Sequence, residues 1–191
     1  MTRRTQRKLV SLIIAACFLL VAIGQQHGWF GAVKQTAVQN QPGLYTVTRF
    51  VDGDTIAVDM HGHDETIRMI GVDTPETHKP DAPVQCYGPA ASSYVKHLIG
   101  TSQVRLEADP ESTNRDRYQR LLRYVYLPDG RLVELESIKN GYGFAYTQFP
   151  FTKSDQFVAA QQAAKTQVKG LWTNCQPFQL NNGRWQTEDA V

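Results

Sequence analysis

Cysteine and zinc-ligand patterns are scarce in this sequence of 191 residues. It has three cysteines, at positions 17, 86 and 175, and its five histidines show no zinc spacing with them, which excludes a zinc-stabilised domain. No internal repeat and no low-complexity stretch is present, so repeat architectures and a disordered chain are excluded as well. The length suits one ordinary domain with appendages.

Excess positive charge is missing from most of the chain. The formal net charge is +2, but residues 1–42 hold five basic side chains and no acidic one, which leaves 15 basic and 18 acidic side chains in the remaining 149 residues. A protein that binds duplex DNA by bulk electrostatics normally presents a basic face. Any affinity for phosphate must therefore come from a local cluster or from a metal ion.

A long apolar run occurs near the N-terminus, from Leu9 to Gly24. It follows four basic residues, Arg3, Arg4, Arg7 and Lys8. This pattern is typical of an export signal or a signal anchor and less so of a buried core helix. The run is short for a spanning helix, which needs roughly 17 to 25 residues, and residues 22–24 form an acceptable cleavage site. Residues 1–24 are therefore predicted to be a cleaved signal or an N-terminal anchor helix, which places the rest outside the cytoplasm.

The domain plan follows from the remaining patterns. Residues 25–43 lack periodicity and are predicted to be a linker, residues 44–176 a folded domain, and residues 177–191 a loose polar tail. Two cysteines, an even number, remain in the part expected to face an oxidising compartment.

Strand and helix patterns predict an α+β domain. Runs rich in β-branched and aromatic residues cover 45–51, 55–60, 66–72, 103–108 and 121–127, and turn signals between the first three indicate a meander. Helices are predicted between Pro89 and Gly100, between Leu132 and Gly141, and between Thr152 and Gly170, the last with Thr152 and Asp155 as a capping box. Five strands with a helix after the third fit a barrel of the OB type.

Two acidic segments lie at predicted strand edges, Asp52-Gly53-Asp54 and Asp73-Thr74-Pro75-Glu76. If the second and third strands pair, Asp54 and Asp73 can converge on one hard cation, which prefers oxygen ligands. Taken alone, however, the first segment is more often a simple hairpin turn.

Arginines accompany these acids. Arg68 lies inside an apolar strand, where its charge must reach solvent or find a partner. Four more arginines lie within nine residues, Arg115, Arg117, Arg120 and Arg123. Such a cluster is unremarkable as a solvated loop, but the planar guanidinium is also the usual device for holding phosphate.

Five stretches in order resemble the staphylococcal nuclease (thermonuclease) family, over roughly residues 44–174: Val51–Thr55, Arg68–Thr77, Tyr87–Ala91, Asp116–Arg120 and Gly170–Trp172. The resemblance implies a Ca²⁺ site made by the carboxylates of Asp54 and Asp73 and the main-chain carbonyl of Thr74. It also implies that Glu76 acts on the attacking water, as general base or as its organiser.

The resemblance further implies that Arg68 and Arg120 hold the scissile phosphate, Arg120 also helping the leaving oxygen. It places Arg117 and Tyr118 on a neighbouring phosphate. Tyr146 falls near the base-stacking tyrosines of the family, although this aromatic stretch is equally typical of packing residues. In the family fold the ends that carry Cys86 and Cys175 pack near each other, which implies a disulfide.

Two departures from the family pattern are visible in the sequence. Gln119 stands where the family usually has glycine, which affects the loop that presents Arg120, and Ala90 stands where it usually has glutamate. The activity implied is an exported, monomeric endonuclease that cuts DNA and RNA, preferably unpaired, to 3′-phosphates. The alternatives are a nucleic-acid-binding module without catalysis and an envelope protein that binds a partner protein without metal dependence.

Overall fold

A computed structural model describes residues 43–77 and 83–190 of the chain. The predicted signal or anchor segment and nearly all of the predicted linker lie outside these residues. No helix in the described part of the chain is both long and apolar enough to cross a membrane.

The described residues form strands and helices in the following order: β1 (Val47–Phe50), β2 (Thr55–Met60), β3 (His63–Met69), β4 (Val72–Asp73), α1 (Gly88–Ile99), β5 (Arg105–Glu107), β6 (Leu121–Tyr126), α2 (Val133–Lys139), β7 (Phe144–Ala145), α3 (Ser154–Thr166), α4 (Leu171–Asn174), β8 (Phe178–Gln179) and β9 (Trp185–Gln186). Five strands make one mixed sheet in the order β1-β2-β3-β6-β5. Two further pairs, β4 with β7 and β8 with β9, lie outside that sheet. The fold is α+β, as predicted.

The predicted meander of the first three strands is confirmed. Strands β1, β2 and β3 pair antiparallel in sequence order, and Thr55 at the start of β2 pairs with Arg68 near the end of β3. A two-residue turn joins β2 to β3, with both His61 and Gly62 at positive φ, as hairpins of this length require. Strand β3 begins directly after it, in the stretch predicted as turn. This register brings the start of β2 beside the end of β3.

Barrel closure is less complete than predicted. The two edges of the sheet meet at one isolated bridge, where Tyr45 and Val104 exchange backbone hydrogen bonds of 2.8 and 2.9 Å. Strands β1 and β5 do not otherwise pair, so the sheet is not closed by a continuous ladder. Its inner face is filled by fully buried apolar side chains, among them Ile56, Ile67 and Val125.

Helices α1, α2 and α3 lie where the sequence predicts them, but the capping box at α3 is wrong. The helix starts after Lys153 without a side-chain cap. The Thr152 hydroxyl donates instead to Asp109, whose buried carboxylate also accepts from Tyr124. A buried carboxylate needs these partners more than an exposed helix end needs a cap. The short helix α4 and the β8–β9 hairpin are additional to the sequence prediction, so the tail is not loose.

Glu134 on α2 gives a pH-dependent prediction. Its side chain is fully buried and accepts hydrogen bonds from Val125 N at 3.0 and 3.2 Å. Burial raises the pKa of Glu134 well above its ordinary value. The folded protein therefore keeps a proton that the unfolded chain loses, and this contribution to stability is fully present below the unfolded pKa and falls as the pH rises toward the folded pKa.

We expect Glu134→Gln, which is neutral at every pH, to equal the parent in stability at about pH 4. At about pH 8 it should be more stable, by about 1 kcal/mol or more. Thermal unfolding with chelator across that range measures the difference. The control is Glu136→Gln on the same helix, whose partner Lys139 is exposed. Parallel profiles for the parent and Glu134→Gln would contradict this account.

Candidate active site

The turn between β1 and β2 carries the first acidic segment. Val51 and Asp52 both donate their backbone N–H to the carbonyl of Thr55, at 3.0 and 3.2 Å. Gly53 fits because a Cβ atom there would lie 2.8 Å from the Thr74 side chain. The segment is therefore a turn and is also pressed against the second acidic segment.

The carboxylates of Asp54 and Asp73 converge as the strand pairing predicts. Each residue is only 6% exposed. One guanidinium nitrogen, Arg68 Nη2, lies 3.0 Å from Asp54 Oδ2 and 3.4 Å from Asp73 Oδ1. The backbone N–H of Thr74 donates to Asp54 Oδ2 at 3.2 Å, which brings the main chain of Thr74 beside the same carboxylate.

Arg68 is held in place as a paired, largely buried cation. Its Nη1 donates to the carbonyls of Met69 and Val72, both at 2.8 Å. The reading of Arg68 as an exposed strand residue is therefore wrong. These carbonyl contacts fix the guanidinium plane and leave Nη2 facing the two carboxylates.

Burial makes the acidic cluster reluctant to carry all its negative charge. It raises the pKa of Asp52 to about 7, with repulsion from Asp54 adding to the effect. Burial also raises the pKa of Asp73, against the opposing influence of Arg68 and Arg184. Burial alone would lower the pKa of Arg68. The charges of Asp54 and Asp73 act in the opposite direction and outweigh it, so the pKa of Arg68 is raised. Additional positive charge at this cluster would be favourable.

The residues present fit a hard divalent cation. Two carboxylates and a neighbouring main-chain carbonyl are the oxygen ligands that Ca²⁺ prefers, with water completing the shell.

Only one group of three acidic, histidine or cysteine side chains in the described residues brings its ligand atoms within 4.8 Å of one another, namely Cys86, Cys175 and Glu188. Two of these are joined in a disulfide, so that group does not fit a metal ion.

Four clustered arginines have different environments. Arg115 forms a two-point salt bridge with Glu65, at 2.8 and 2.9 Å, and Arg123 is buried with its Nη2 on Asn114 Oδ1. These two arginines hold the loop together. Arg117 instead lies over the ring of Tyr118, which is 64% exposed.

Arg120 points toward the acidic cluster. Its Nε donates to Asp116 Oδ2 at 2.7 Å, and its Nη1 lies 3.5 Å from the hydroxyl of Thr55. That hydroxyl donates to Asp54 Oδ1 at 2.9 Å. The structure thus brings Arg120, Arg68, Asp54 and Asp73 into one site.

The loop before Arg120 keeps the backbone shape that suits glycine. Gln119 has a φ of 66°, in the left-handed region that costs a side-chain-bearing residue roughly 1 kcal/mol. Its carbonyl accepts from Arg115 and its N–H donates to Asp116, so local contacts hold it there. The departure from glycine strains the loop without turning Arg120 away.

We expect Gln119→Gly to raise the free energy of unfolding by about 1 kcal/mol in urea denaturation. Gln119→Ala is the matched control, because alanine removes the long side chain but keeps the Cβ atom. A similar gain for both variants would mean that the side chain, and not the backbone conformation, causes the cost.

The main chain of Glu76 is fixed beside the site. Its N–H donates to Gln85 Oε1 at 2.8 Å and its carbonyl accepts from Gln85 N at 2.9 Å. Gly88 must lack a side chain because a Cβ atom there would lie 2.7 Å from the Glu76 carbonyl. The corner after Asp73 is therefore tightly packed, although the role of the Glu76 carboxylate stays a prediction.

The aromatic stretch divides between packing and surface. Phe144 is buried, and Tyr142 stacks on Tyr94 with ring centres 4.0 Å apart. Tyr146 is half-buried and Phe149 is 67% exposed, with ring centres 6.0 Å apart. The packing interpretation holds for the first two residues, and Tyr146 remains available for a substrate base.

The predicted disulfide between Cys86 and Cys175 is confirmed. It joins residues 89 positions apart, with Cα atoms at 6.0 Å. Closing a loop of this length stabilises a fold by roughly 4 to 5 kcal/mol on the chain-entropy model.

Sequence reasoning missed one functional group, the guanidinium of Arg184. It donates to both oxygens of Asp73, with Nε at 2.8 Å from Oδ2 and Nη2 at 3.2 Å from Oδ1. The two residues are 111 positions apart, and no local pattern signals their contact.

Buried carboxylates and arginines thus meet in one place on an α+β domain, an arrangement with the chemistry to hold a cation and a phosphate group. The family model described as "Staphylococcal nuclease homologue" matches residues 66–174. The chain is 38% identical over 162 residues to the thermonuclease of Staphylococcus intermedius, covering 84% of this chain and 95% of that relative.

Two further relatives agree. The thermonuclease of Staphylococcus hyicus is 39% identical over 166 residues, which cover 85% of this chain and 96% of the relative. Endonuclease YncB of Bacillus subtilis is 43% identical over 139 residues, or 71% of this chain and 65% of the relative. The chain belongs to the staphylococcal nuclease family and is a nuclease, a hydrolase that acts on nucleic acid.

Proposed function

We propose that this chain is a calcium-dependent endonuclease that works outside the cytoplasm and hydrolyses DNA and RNA to 3′-phosphate products. The observation that carries the proposal is the contact of one Arg68 nitrogen with both Asp54 and Asp73, at 3.0 and 3.4 Å. Two buried carboxylates can bind a cation, and the adjacent guanidinium can donate hydrogen bonds to a phosphate; a metal-dependent nuclease needs both.

The cation would be held by the carboxylates of Asp54 and Asp73 and the carbonyl of Thr74. When bound there, Ca²⁺ supplies positive charge that polarises the phosphate and makes a bound water more acidic. The geometry supports this assignment, because the two buried carboxylates lie against one Arg68 nitrogen and their shared negative charge favours a bound cation.

The protein's own groups would carry the remaining steps. Arg68 and Arg120 hold the non-bridging oxygens and offset the charge that builds up on the phosphorus. Glu76 receives a proton from the attacking water, or holds that water in line. The bond from phosphorus to the 5′ oxygen breaks beside Arg120, which stabilises the departing oxygen by hydrogen bonding. That oxygen takes up a proton from solvent water, and Glu76 returns the proton of the attacking water to solvent, which leaves a 3′-phosphate and a 5′-hydroxyl.

Substrate contacts would extend beyond the scissile phosphate. Arg117 and the exposed ring of Tyr118 meet a neighbouring phosphate, and Tyr146 stacks on a base. Stacking contributes about 1 to 3 kcal/mol per base and tolerates any sequence, provided that the base is not paired. We therefore propose that a monomer prefers single-stranded or unpaired regions of DNA and RNA.

Export is the proposed role of residues 1–24, as a cleaved signal or a single N-terminal anchor. The disulfide between Cys86 and Cys175 supports this proposal, since such bonds persist in oxidising compartments. N-terminal sequencing of protein recovered from the cell envelope and from the medium distinguishes the anchored form from the secreted one.

The test of the proposed function is cleavage of end-labelled DNA and RNA by the purified, disulfide-intact protein. We expect cleavage with Ca²⁺, none with chelator, and recovery when Ca²⁺ is restored, with 3′-phosphate ends on the products. Nucleic-acid binding without cleavage would support the alternative of a binding module that has lost catalysis. Full activity in chelator would contradict the calcium assignment.

A further inference from the structure

The β8–β9 hairpin is firmly attached to the domain. The ring of Trp185 stacks on buried Phe144 at 6.1 Å and meets the edge of Trp172 at 5.2 Å, while Lys165 Nζ lies 4.6 Å from its centre. Within the hairpin, Leu180 N donates to the carbonyl of Arg184 at 2.8 Å. Arg184, which directly precedes Trp185, is therefore held in a defined position.

A second attachment lies beside the disulfide. Cys86 N donates to the carbonyl of Glu188 at 2.7 Å, and the hydroxyl of Thr187 donates to the carbonyl of Cys86 at 2.8 Å. Thr187 is fully buried, and Ala190 N donates to Val84 at 2.7 Å. The chain is thus attached to the domain both at Trp185 and just after it, so the fold determines where Arg184 lies.

Arg184 donates hydrogen bonds to both carboxylate oxygens of Asp73. The fork of Nε and Nη2 lies at 2.8 and 3.2 Å from Oδ2 and Oδ1, and Oδ1 is also 3.4 Å from Arg68 Nη2. The side chain of Asp73 is 9% exposed, whereas that of Arg184 is 37% exposed. Asp73 is thus enclosed, whereas part of the Arg184 side chain is in contact with solvent.

We propose that Arg184 is a third arginine of the active site, one that changes partner during turnover. It holds Asp73 while no metal is bound, and it binds a phosphate of the nucleic acid once the cation has taken Asp73. This inference rests on the proposed function, since it assumes that Asp73 is a ligand of the cation.

The exchange follows from the geometry of Asp73. A Ca²⁺ ion needs a carboxylate oxygen at roughly 2.3 to 2.6 Å, on the oxygens that Arg184 now engages. A guanidinium in contact with the same carboxylate also repels the incoming cation. Arg184 therefore competes with the cation for Asp73, so it weakens metal binding in the absence of substrate.

The released guanidinium has a suitable second partner. Its planar fork matches phosphate as well as it matches carboxylate. It lies 5.8 Å from the ring of Tyr146, which we propose as a base-stacking residue, and it shares Asp73 with Arg68, which we propose as a phosphate ligand. A strand lying across these two residues brings a phosphate within reach of Arg184.

Calorimetric titration of the disulfide-intact, metal-free protein with Ca²⁺, without nucleic acid, is the first test. We expect Arg184→Gln to lower the Kd for Ca²⁺ by about 5- to 20-fold, as for loss of a competing two-point ion pair that is partly exposed. The control Arg131→Gln removes an exposed arginine whose Nε and Nη2 both contact Asp129 Oδ2, and its Kd should equal that of the parent.

Steady-state cleavage at saturating Ca²⁺ is the second test. We expect Arg184→Gln to raise KM for single-stranded DNA by about 5- to 20-fold, with kcat within about threefold of the parent, because the lost contact is to a phosphate away from the reacting bond. Arg184→Lys should recover part of the KM effect, since it keeps the charge without the fork.

The possible results distinguish failure of the Arg184 proposal from failure of the proposed calcium site. A Kd for Ca²⁺ that is unchanged or weaker in Arg184→Gln, or an unchanged KM, overturns the exchange while the calcium site stands. A parent that binds no Ca²⁺, or an Asp54→Asn variant that binds it as the parent does, overturns the proposed calcium site and the inference together.

Discussion

Asp54→Asn should reduce cleavage on the order of 1,000-fold or more, while the protein stays folded. The buried carboxylate of Asp54 contacts Arg68, and its neighbour Thr74 supplies the third proposed ligand. An amide keeps the shape but loses the charge that holds the cation, and with it several kcal/mol of charge stabilisation in the transition state. Initial rates at saturating Ca²⁺ measure the loss.

The matched control is Asp59→Asn. Asp59 lies on β2, the strand that Asp54 directly precedes; it is exposed and accepts a hydrogen bond from Gly62 that an amide can keep. Its activity should equal that of the parent. If Asp54→Asn retains more than about a tenth of the parent rate, Asp54 is not a metal ligand that the reaction needs.

In the presence of chelator, Asp54→Asn should leave the stability of the protein unchanged or raise it. Burial raises the pKa of Asp52 and of Asp73, and the charge of Asp54 adds to both shifts, so the three carboxylates repel one another in the metal-free protein. Removing one charge relieves that repulsion, and the free energy of unfolding should stay within about 1 kcal/mol of the parent or rise. A normal unfolding curve also shows that lost activity is not lost folding.

Arg120→Lys should lower turnover by roughly 100- to 1,000-fold, although the positive charge is kept. The guanidinium of Arg120 is oriented by the bond from its Nε to Asp116, which leaves its Nη1 toward Thr55 and the acidic cluster. Lysine cannot form this bond and face the phosphate at once, and loss of one preorganised donor has an effect of this size. Single-turnover rates separate this loss from weaker binding.

Arg131→Lys provides the comparison, because Arg131 also donates through Nε to a neighbouring aspartate but lies on an exposed turn. Its rate should not change. A rate for Arg120→Lys within a few-fold of the parent would mean that Arg120 does not hold the scissile phosphate. Arg117, which lies in the same loop, would then be the next arginine to test.

The sheet and the main helices could be predicted because their signals are local. Runs rich in β-branched residues mark a strand such as β2, and Pro89 with Gly100 marks the limits of α1. Elements of two to four residues, such as α4 and the strands of the tail hairpin, are too short to show a period. Their stability comes from tertiary contacts, such as Trp185 on Phe144.

The site was predictable where strand pairing fixed it. Asp54 directly precedes β2, and its carbonyl accepts from Met69 N at the end of β3. Asp73 follows four residues after Met69, so the approach of the two acids follows from the pairing of β2 with β3. Arg184 reaches Asp73 from a hairpin 111 residues away, and neither composition nor spacing signals such a contact. Thr152 failed as a helix cap for a similar reason, because a buried carboxylate from a distant loop takes its hydroxyl.

The measurement that tests the central claim most directly is a crystal structure with Ca²⁺, with the ion located by its anomalous scattering. We predict one ion bound by Asp54, Asp73 and the carbonyl of Thr74, with oxygens at roughly 2.3 to 2.6 Å. An ion bound elsewhere on the domain, or an acidic cluster still closed by Arg68 and Arg184 at saturating Ca²⁺, would contradict the account.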